Sequence, residues 1–337
     1  MKKIVVRKPG GHEALELVEE PDKTPGPGEV RVRVRAAGVN YADAIVRMGY
    51  YAAAKGRYPI TPGFEFAGEI DAGGSRFKPG DRVFGFMRFG AYASSVVVSE
   101  TQVFSCPDDW TFEECAAFPA VYLTAYHGLF QVARVQPGER LLVHSAAGGV
   151  GTALLQLAKI AGCPTIGVVG SAAKVDFARR MSATHVVVRG PRLWDELAGL
   201  AADGFDVIFD ANGVETAREG YKRLAAGGRL VVYGFADIMP RGKARPRLWD
   251  LAWNYLRVPK FSPIEMTTTN RGVMGFNLAF LFHKPSLARE AMQRLLLWIG
   301  QKRIQKPLVT TFPLERAGDA HKAIESGTTT GKLVLTA

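Results

Sequence analysis

Arg140-Leu-Leu-Val-His144, Ser145-Ala-Ala-Gly-Gly-Val-Gly151 and Thr152-Ala-Leu-Leu-Gln-Leu-Ala-Lys-Ile-Ala161 follow one another directly in this chain. They are a short apolar run, a turn of small residues and an amphipathic helix. A strand, a glycine turn and a helix in this order are the context that a dinucleotide-binding turn requires. A second apolar run, Thr165-Ile-Gly-Val-Val169, ends where the ribose of a bound dinucleotide would lie.

The turn carries the pattern G-x-G-x-x-G with alanine in its first position: Ala146, Gly148 and Gly151. The middle glycine lets the backbone approach a pyrophosphate, and the last one lets the helix pack on the strand. The helix N-terminus adds free N–H groups and partial positive charge. The alternative is an ordinary strand-to-helix turn. The residues predicted to hold the pyrophosphate are Ala147, Gly148, Gly149 and Val150.

Strands and helices alternate beyond this stretch. The rhythm predicts a doubly wound parallel sheet covered by helices on both faces, which is an α/β fold. The predicted strands are 140–144, 165–169, 185–188, 206–209 and 229–233, and the predicted helices are 120–133, 152–161, 173–181, 192–201, 214–225 and 287–299.

The first hundred residues have another pattern. Short runs with Gly/Pro punctuation predict a small antiparallel barrel. The run 29–35 alternates valine with charge, so one face of that strand is buried and the other is wet. A last strand at 332–335 is expected to return to this first domain. The other predicted strands are 3–7, 65–70, 81–86 and 90–98.

Composition limits the classes of function. A chain of 337 residues is expected to form two domains. No run approaches the roughly 18 apolar residues of a membrane span, and no signal-peptide pattern opens the sequence, so a cytoplasmic protein is expected. Three scattered cysteines predict neither a disulfide framework nor a CxxC metal site. The net charge of +11 is spread out, apart from a basic patch at 241–247 that we interpret as a solvated loop, so no nucleic-acid partner is predicted.

The end of the second strand indicates which dinucleotide binds. A free ribose 2′-hydroxyl favours an acidic residue about 20 residues after the glycine turn. Here Ser171 lies 20 residues after Gly151 and Lys174 follows, with no acid before Asp176. A hydroxyl and an ammonium suit a 2′-phosphate, and Arg189 could add a guanidinium there, so NADPH is predicted over NADH. The alternative is that Lys174 and Arg189 are ordinary surface charges.

Several motifs together resemble the zinc-independent quinone oxidoreductase branch of the medium-chain dehydrogenase/reductase superfamily. Within it, Asn270-Arg-Gly-Val-Met-Gly-Phe-Asn277 points to the vesicle amine transport protein group. The resemblance runs from residue 4 to residue 335. Its motifs are Ala37-Gly-Val-Asn40 with Asp43, Arg47, Gly49 and Tyr50; Pro62-Gly-Phe-Glu65 with Ala67-Gly68; Lys78-Pro-Gly-Asp-Arg-Val83; Tyr122-Leu-Thr-Ala-Tyr126; Ala146-Ala-Gly-Gly-Val-Gly151; and Gly331-Lys-Leu-Val-Leu335.

The resemblance implies an N-terminal GroES-like β-barrel catalytic domain and a Rossmann domain, with NADPH in the cleft between them. We expect residues 1–118 and 262–337 in the catalytic domain and residues 119–261 in the Rossmann domain. It also implies a homodimer. By position, the implied cofactor contacts are Asn40 and Thr124 near the nicotinamide and ribose, Ser171 and Lys174 at the 2′-phosphate, Arg189 in place of the family's usual tyrosine, Gly234 and Phe276 at the carboxamide, and Lys332 from the closing segment.

Zinc is not expected. A catalytic zinc needs Cys, His or carboxylate ligands around an open position. Zinc-dependent relatives place Cys at the position of Asn40 and His at that of Phe64, and a four-cysteine lobe is missing. A set built on Glu65 with a distant histidine is conceivable. The histidines at 127, 144 and 185 are interpreted as core or surface residues.

Catalysis would then come from the cofactor and a polarising donor. Asn40 offers an amide, and Tyr50 or Tyr51 a phenol, to the developing oxygen anion. The alternative for both tyrosines is a pocket wall. Asp43 and Arg47, one helical turn apart, are interpreted as a surface or structural pair. The aromatic residues that could shape a flat apolar pocket are Tyr41, Phe64, Phe86 and Phe89.

The function predicted from these features is NADPH-dependent reduction of a quinone or an α,β-unsaturated carbonyl. A nucleotide-binding interaction protein with weak or no reductase activity is the second hypothesis. The basic and aromatic segment 246–257 could then contact a partner or an anionic bilayer without stable insertion, although a buried interface helix explains it as well.

Overall fold

The computed structural model describes residues 1–239 and 256–337. The basic patch at 241–247, and the segment 246–257 except for its last two residues, lie outside the described residues. In the part of the chain that is described, no helix is long and apolar enough to cross a membrane.

A mainly antiparallel sheet combines the strands of the N-terminal third with two strands from the end of the chain, which pair in parallel with each other. β1 (Lys2–Val5) and β2 (Glu16–Glu19) form a separate two-stranded sheet. The strands of the main sheet are β3 (Glu29–Val39), β4 (Glu65–Gly73), β5 (Arg82–Phe86), β6 (Ser95–Ser99), β7 (Val103–Ser105), β14 (Val309–Pro313) and β15 (Lys332–Thr336). They run in the order β14-β15-β3-β4-β5-β7, and β6 pairs with β3.

The alternation in β3 has the predicted effect. The valines at 30, 32 and 34 are buried, while Arg31, Arg33 and Arg35 pair with Asp71 and Glu69 on the other face. The closing strand β15 lies antiparallel to β3, as predicted. The last residues of the chain therefore belong to the sheet that opens it.

Ten α-helices lie in the described part of the chain. The predicted helix 120–133 continues as a helix but changes geometry, because its second half, His127–Ala133, is a π-helical turn. The α-helices are α1 (Tyr41–Met48), α2 (Phe112–Ala116), α3 (Pro119–Tyr126), α4 (Gly149–Ile160), α5 (Val175–Arg180), α6 (Leu193–Leu200), α7 (Val214–Lys222), α8 (Pro263–Thr269), α9 (Pro285–Gly300) and α10 (Ala317–Glu325).

A six-stranded parallel sheet forms the core of the second domain. Its strands are β8 (Leu141–Val143), β9 (Thr165–Val169), β10 (His185–Val188), β11 (Phe205–Asp210), β12 (Leu224–Val232) and β13 (Gly272–Gly275). The order is β10-β9-β8-β11-β12-β13, which is the 3-2-1-4-5-6 order of the Rossmann fold. Apolar clusters cover both faces of the sheet. The predicted doubly wound α/β architecture is therefore confirmed.

The expected domain boundary at residue 262 disagrees with this sheet. β13 pairs in parallel with β12, from Arg229 opposite Gly272 to Val232 opposite Gly275. Residues 272–275 thus belong to the parallel sheet and not to the catalytic domain. The backbone pairing decides this, because two apolar residues between two glycines give almost no strand pattern. We propose that the chain returns to the first domain between Gly300 and Val309.

Candidate functional site

The glycine turn after β8 is shaped by close backbone approach. A methyl group on Gly151 would lie 2.3 Å from the carbonyl oxygen of Ser145, so any side chain here would push α4 off the sheet. At Gly148 a methyl group would lie 3.3 Å from that oxygen and near no other atom. Gly151 thus serves helix packing, whereas Gly148 keeps the outer face of the turn open at the N-terminus of α4.

The closing segment lies against this turn. The Gly331 N–H donates to the Ala147 carbonyl at 2.9 Å, and Gly148 forms a parallel bridge with Gly331. Because the next residue, Lys332, begins β15, the bridge brings the antiparallel sheet to the mouth of the glycine turn.

Three side chains form a buried cluster beside the turn. Lys332 is 4% exposed; its Nζ lies 2.6 Å from Glu65 Oε1 and also donates to Asn40 Oδ1. Asn40 Nδ2 donates to Glu65 Oε1 at 2.9 Å. A methyl group on Gly149 would lie 3.5 Å from Lys332 Cδ, so the lysine stem runs along the first turn of α4. The structure therefore brings Asn40 and Lys332 together with the glycine turn.

The first turn of α3 is bound to the same carboxylate. The Ala120 N–H donates to Glu65 Oε2 at 2.6 Å. One turn later, the half-buried Thr124 donates its hydroxyl to the Ala120 carbonyl at 2.6 Å. Its hydroxyl oxygen can still accept a hydrogen bond, so α3 presents Thr124 near the cluster.

The turn after β9 is linked to the closing segment as well. Lys174 Nζ donates to the carbonyls of Gly327 and Thr329, each at 2.8 Å. Partial burial lowers the pKa of the Lys174 ammonium. Ser171 is exposed, three residues before Lys174. Ser171 and Lys174 thus lie on one turn, where the Lys174 N–H donates to the Ser171 carbonyl at 3.1 Å, and two of the three ammonium N–H groups of Lys174 are already used.

Arg189 lies next to this turn. Its N–H donates to the Val169 carbonyl at 2.8 Å, at the end of β9, and its side chain is exposed. This placement suits a contact with the adenosine side of a dinucleotide. It equally suits a solvated surface charge.

The late strands β12 and β13 deliver Gly234 and Phe276. A methyl group on Gly234 would lie 2.8 Å from the Ala211 carbonyl oxygen, so the backbone passes closely there. The Phe276 ring stacks on Tyr233 with a centroid distance of 6.1 Å and meets His127 edge-on at 4.9 Å. Phe276 N–H donates to the Val232 carbonyl at 3.2 Å.

The two candidate tyrosines have different surroundings. Tyr51 packs edge-on against Phe64 and Phe89, and its hydroxyl donates to Asn277 Oδ1 at 2.9 Å. Burial raises the pKa of Tyr51 to about 12. Tyr50 is 38% exposed. Tyr51 thus links the catalytic domain to Asn277, the residue after Phe276. Its O–H is already engaged in this hydrogen bond.

Asp43 and Arg47 do not form the expected pair. Both are fully buried, and each has other partners. Asp43 accepts hydrogen bonds from the Asn40 and Gly63 N–H groups, each at 2.8 Å, and from Tyr92 at 3.2 Å. Burial raises the pKa of Asp43 to about 7. The interpretation as a surface pair is wrong, because the partners come from distant parts of the chain.

Arg47 belongs to a second buried group. Its Nη1 contacts Glu325 Oε1 at 2.7 Å and His321 Nδ1 at 3.3 Å, and His321 Nε2 contacts Tyr92 at 3.2 Å. This chain of hydrogen bonds connects α10 with α1. Asp43, at the end of the chain, holds the backbone of Asn40.

The three histidines named above lie where core or surface residues would. His144 is fully buried before the glycine turn, and neither ring nitrogen has a hydrogen-bond partner among the described residues. Burial lowers the pKa of His144 to about 3. His127 is half-buried and bonded to Gln131, and His185 is exposed.

Sequence reasoning missed the residues that hold the site together. Glu65 stands in a family motif and in the conceivable metal set, and neither predicts that it is the common acceptor of the cluster. Asn277 stood only in a family motif, and the carbonyls of Gly327 and Thr329 carry no side-chain signal. A charged residue within the apolar strand pattern at 65–70 was the one available hint for Glu65.

Two family models and several known proteins are similar to this chain. Residues 26–108 match the family model described as alcohol dehydrogenase GroES-like domain, and residues 181–335 match the one described as zinc-binding dehydrogenase. The chain is 34% identical over 336 residues to the human synaptic vesicle membrane protein VAT-1 homolog, covering 97% of this chain and 84% of that protein.

Two solved structures share the whole fold. The human VAT-1 homolog-like protein superposes with a TM-score of 0.85 at 30% identity, covering 100% of this chain and 98% of that one. The Escherichia coli quinone oxidoreductase complexed with NADPH superposes with a TM-score of 0.84 at 27% identity, covering all of both chains.

Proposed function

The chain belongs to the medium-chain dehydrogenase/reductase superfamily, in the branch that contains the quinone oxidoreductases and the VAT-1 homologues, and from this premise we propose an NADPH-dependent reductase. The general class of activity is that of an oxidoreductase. The proposed substrate is a quinone or an α,β-unsaturated carbonyl compound, and the proposed reaction needs no zinc.

One observation carries the proposal: the Gly148–Gly331 bridge brings the glycine turn against Lys332 and Asn40. A cofactor whose pyrophosphate lies on Gly148 would then end beside two hydrogen-bond donors. The open face of Gly148 and the free N–H groups of α4 fit a pyrophosphate. The remaining N–H of Lys174 beside Ser171 fits a 2′-phosphate.

NADPH, Asn40 and Lys332 have different roles in the proposed reaction. Bound NADPH would supply a hydride for the substrate. The Asn40 amide has two N–H groups, and one of them is bound to Glu65. The second can polarise a carbonyl oxygen in the cleft. Lys332 has a third N–H and carries positive charge next to the position where negative charge develops.

The tyrosines are proposed as walls of the pocket. The Tyr51 hydroxyl already donates a hydrogen bond to Asn277, and its raised pKa disfavours loss of the proton. Its edge-on contacts with Phe64 and Phe89 form an apolar, aromatic wall that suits a conjugated substrate. Tyr50 is the phenol that stays available at the rim.

The zinc named in one family model does not fit this cluster. The carboxylate of the cluster, Glu65, already accepts hydrogen bonds from Asn40 and Ala120. The Lys332 ammonium lies 2.6 Å from it and would repel a second cation. Asn40 supplies an amide, which zinc rarely uses as a ligand. We therefore assign no step to a metal.

The second candidate function follows from the named relatives. The 34% identity to a synaptic vesicle membrane protein favours a nucleotide-binding protein that associates with membranes or partners. Cosedimentation with anionic liposomes tests it, and absence of binding refutes the membrane version. For the reductase we propose the cytoplasm as compartment and a homodimer as the working form, which size-exclusion chromatography can measure.

The test of the main proposal is an activity screen at matched NADPH and NADH. We expect oxidation of NADPH with at least one quinone or enone, and lower kcat/KM with NADH. Absence of turnover across the panel would refute the reductase. Turnover without a preference for NADPH would refute the assignment of Ser171 and Lys174.

A further inference from the structure

Glu65 occupies a central place that its sequence motif does not explain. It lies fully buried at the start of β4, and its two oxygens accept from three donors on three distant segments. Oε1 takes the Asn40 amide and the Lys332 ammonium, and Oε2 takes the Ala120 N–H of α3. The carboxylate thus connects β3–α1, β15 and α3.

The surrounding backbone leaves room for this carboxylate. Gly38 in β3 has no side chain, and a methyl group there would lie 2.4 Å from Glu65 Oε1 and 2.4 Å from the Ala116 carbonyl oxygen. A residue larger than glycine at position 38 would displace the carboxylate from its donors. The position of Glu65 is therefore fixed by backbone on one side and by hydrogen bonds on the other.

A buried carboxylate with such partners determines the orientation of its donors. Asn40 donates through Nδ2 and accepts from Lys332 through Oδ1, so its amide cannot rotate by half a turn without losing both contacts. Lys332 is held between two oxygens and keeps one N–H. Both remaining N–H groups consequently have fixed directions, as preorganised stabilisation of a developing charge requires.

We infer that Glu65 is the positioning residue of this active site, acting through Asn40 and Lys332 and not through contact with the substrate. The inference rests on the proposed reductase function and deepens it. Glu65 keeps the two donors aligned with the nicotinamide end of the cofactor. It has no part in holding the adenosine end, which lies at Ser171 and Lys174.

The first experiment compares Glu65→Gln with Glu69→Gln. Glu69 lies on the same strand but pairs with Arg35 at the surface, so it is a matched control. Glu65→Gln is expected to lower kcat at least tenfold with a much smaller change in the KM of the quinone or enone substrate. Glu69→Gln should keep kcat and KM near those of the wild type. Glu65→Asp keeps the buried charge but withdraws it by one methylene, and it should show the same split if Glu65→Gln does not fold.

A double-mutant cycle separates positioning from general structure. Because Glu65 acts through Asn40 and Lys332, Glu65→Gln should cost clearly less activity in an Asn40→Ala background than in the wild type, since only its effect on Lys332 remains. An equal loss in both backgrounds overturns the inference. So does a loss that follows the melting temperature and leaves kcat of the folded protein unchanged.

A binding measurement keeps this test independent of turnover. Glu65→Gln is expected to weaken NADPH several-fold and to leave 2′,5′-ADP, which lacks the nicotinamide half, unchanged. Equal weakening of both ligands contradicts the positioning role. If the wild type binds NADPH without reducing any substrate, the reductase proposal fails while this binding difference still decides the role of Glu65.

Discussion

Lys174 Nζ donates hydrogen bonds to the carbonyl of Gly327 at 2.8 Å and, at the same distance, to that of Thr329. The lysine comes from the turn after β9, and the two carbonyls come from the segment that leads into β15. Four residues after Gly327, Gly331 bonds to the glycine turn. The closing segment is therefore attached to the turn after β9 and to the glycine turn, and Lys174 holds this segment in addition to the phosphate contact proposed for it.

Lys174→Glu should weaken NADPH much more than NADH. The substitution removes a charge-assisted contact worth about 1.5–3 kcal/mol and adds repulsion, so we expect roughly a 10- to 100-fold rise in the NADPH dissociation constant or more. Calorimetry with both dinucleotides measures it. Lys159→Glu, at an exposed position of α4, is the charge-matched control. Equal effects on NADPH and NADH would refute the 2′-phosphate assignment.

Two glycines of the turn should respond differently to alanine. Gly151→Ala places a methyl group 2.3 Å from the Ser145 oxygen, so we expect a stability loss of about 1–3 kcal/mol or more. Gly148→Ala meets that oxygen only at 3.3 Å and should melt close to the wild type while binding NADPH about tenfold more weakly. Thermal melts and titrations measure both. Unchanged NADPH binding by Gly148→Ala would show that the pyrophosphate lies elsewhere.

Tyr51→Phe should lower kcat only modestly. It removes one neutral hydrogen bond to Asn277, which is worth about 1 kcal/mol or roughly fivefold in rate. Asn277→Ala also removes the acceptor of the Ala279 N–H, so it should lose at least as much, and the double variant should be no worse than Asn277→Ala alone. A proton donor would instead lose about 10²–10⁴-fold, and steady-state kinetics distinguishes the two. A loss of that size for Tyr51→Phe alone would restore Tyr51 as a catalytic acid.

His144→Phe should reduce the acid sensitivity of the fold. Burial lowers the pKa of His144 to about 3, whereas an unfolded histidine titrates near 6.5. Between these values the unfolded chain binds a proton that the folded chain does not, so stability falls as the pH falls. Relative to the wild type, the variant should gain roughly 2–3 kcal/mol between pH 7 and pH 4.5. Urea melts at the two pH values measure the gain.

The exposed His185 provides the control for that experiment. His185→Phe makes the same exchange at an exposed position, and the gain assigned to His144 is the excess over this variant. If His144→Phe shows no such pH-dependent gain, His144 is charged or solvated in the folded protein, contrary to its burial.

The sequence predicted those parts of the fold that have a period or a steric requirement. The alternation in β3 and the spacing of Gly148 and Gly151 reflect local geometry. The strand and the glycine turn could therefore be predicted from the sequence. β13 was missed because Gly272-Val-Met-Gly275 is too short and too poor in apolar residues to show a pattern. Its partner β12 supplies the pairing that makes it a strand.

The site was predictable where side chains carry the chemistry. The family resemblance named Asn40, Lys332 and Lys174 as cofactor contacts, which stays a prediction, while their contacts within the protein follow from tertiary structure. The spacing of Asp43 and Arg47 indicated a pair, but distant partners separate them. Whether a carboxylate such as Glu65 is buried depends on segments far away in sequence, so no local pattern reveals it.

The most direct test of the reductase uses NADPH labelled with deuterium at the transferred position of C4, together with an enone that the protein turns over. The product is analysed by mass spectrometry for the position and number of deuterium atoms. The account predicts one deuterium on the β-carbon of the product and slower turnover than with unlabelled NADPH. Oxidation of NADPH that leaves no deuterium in the product would contradict direct hydride transfer in this site.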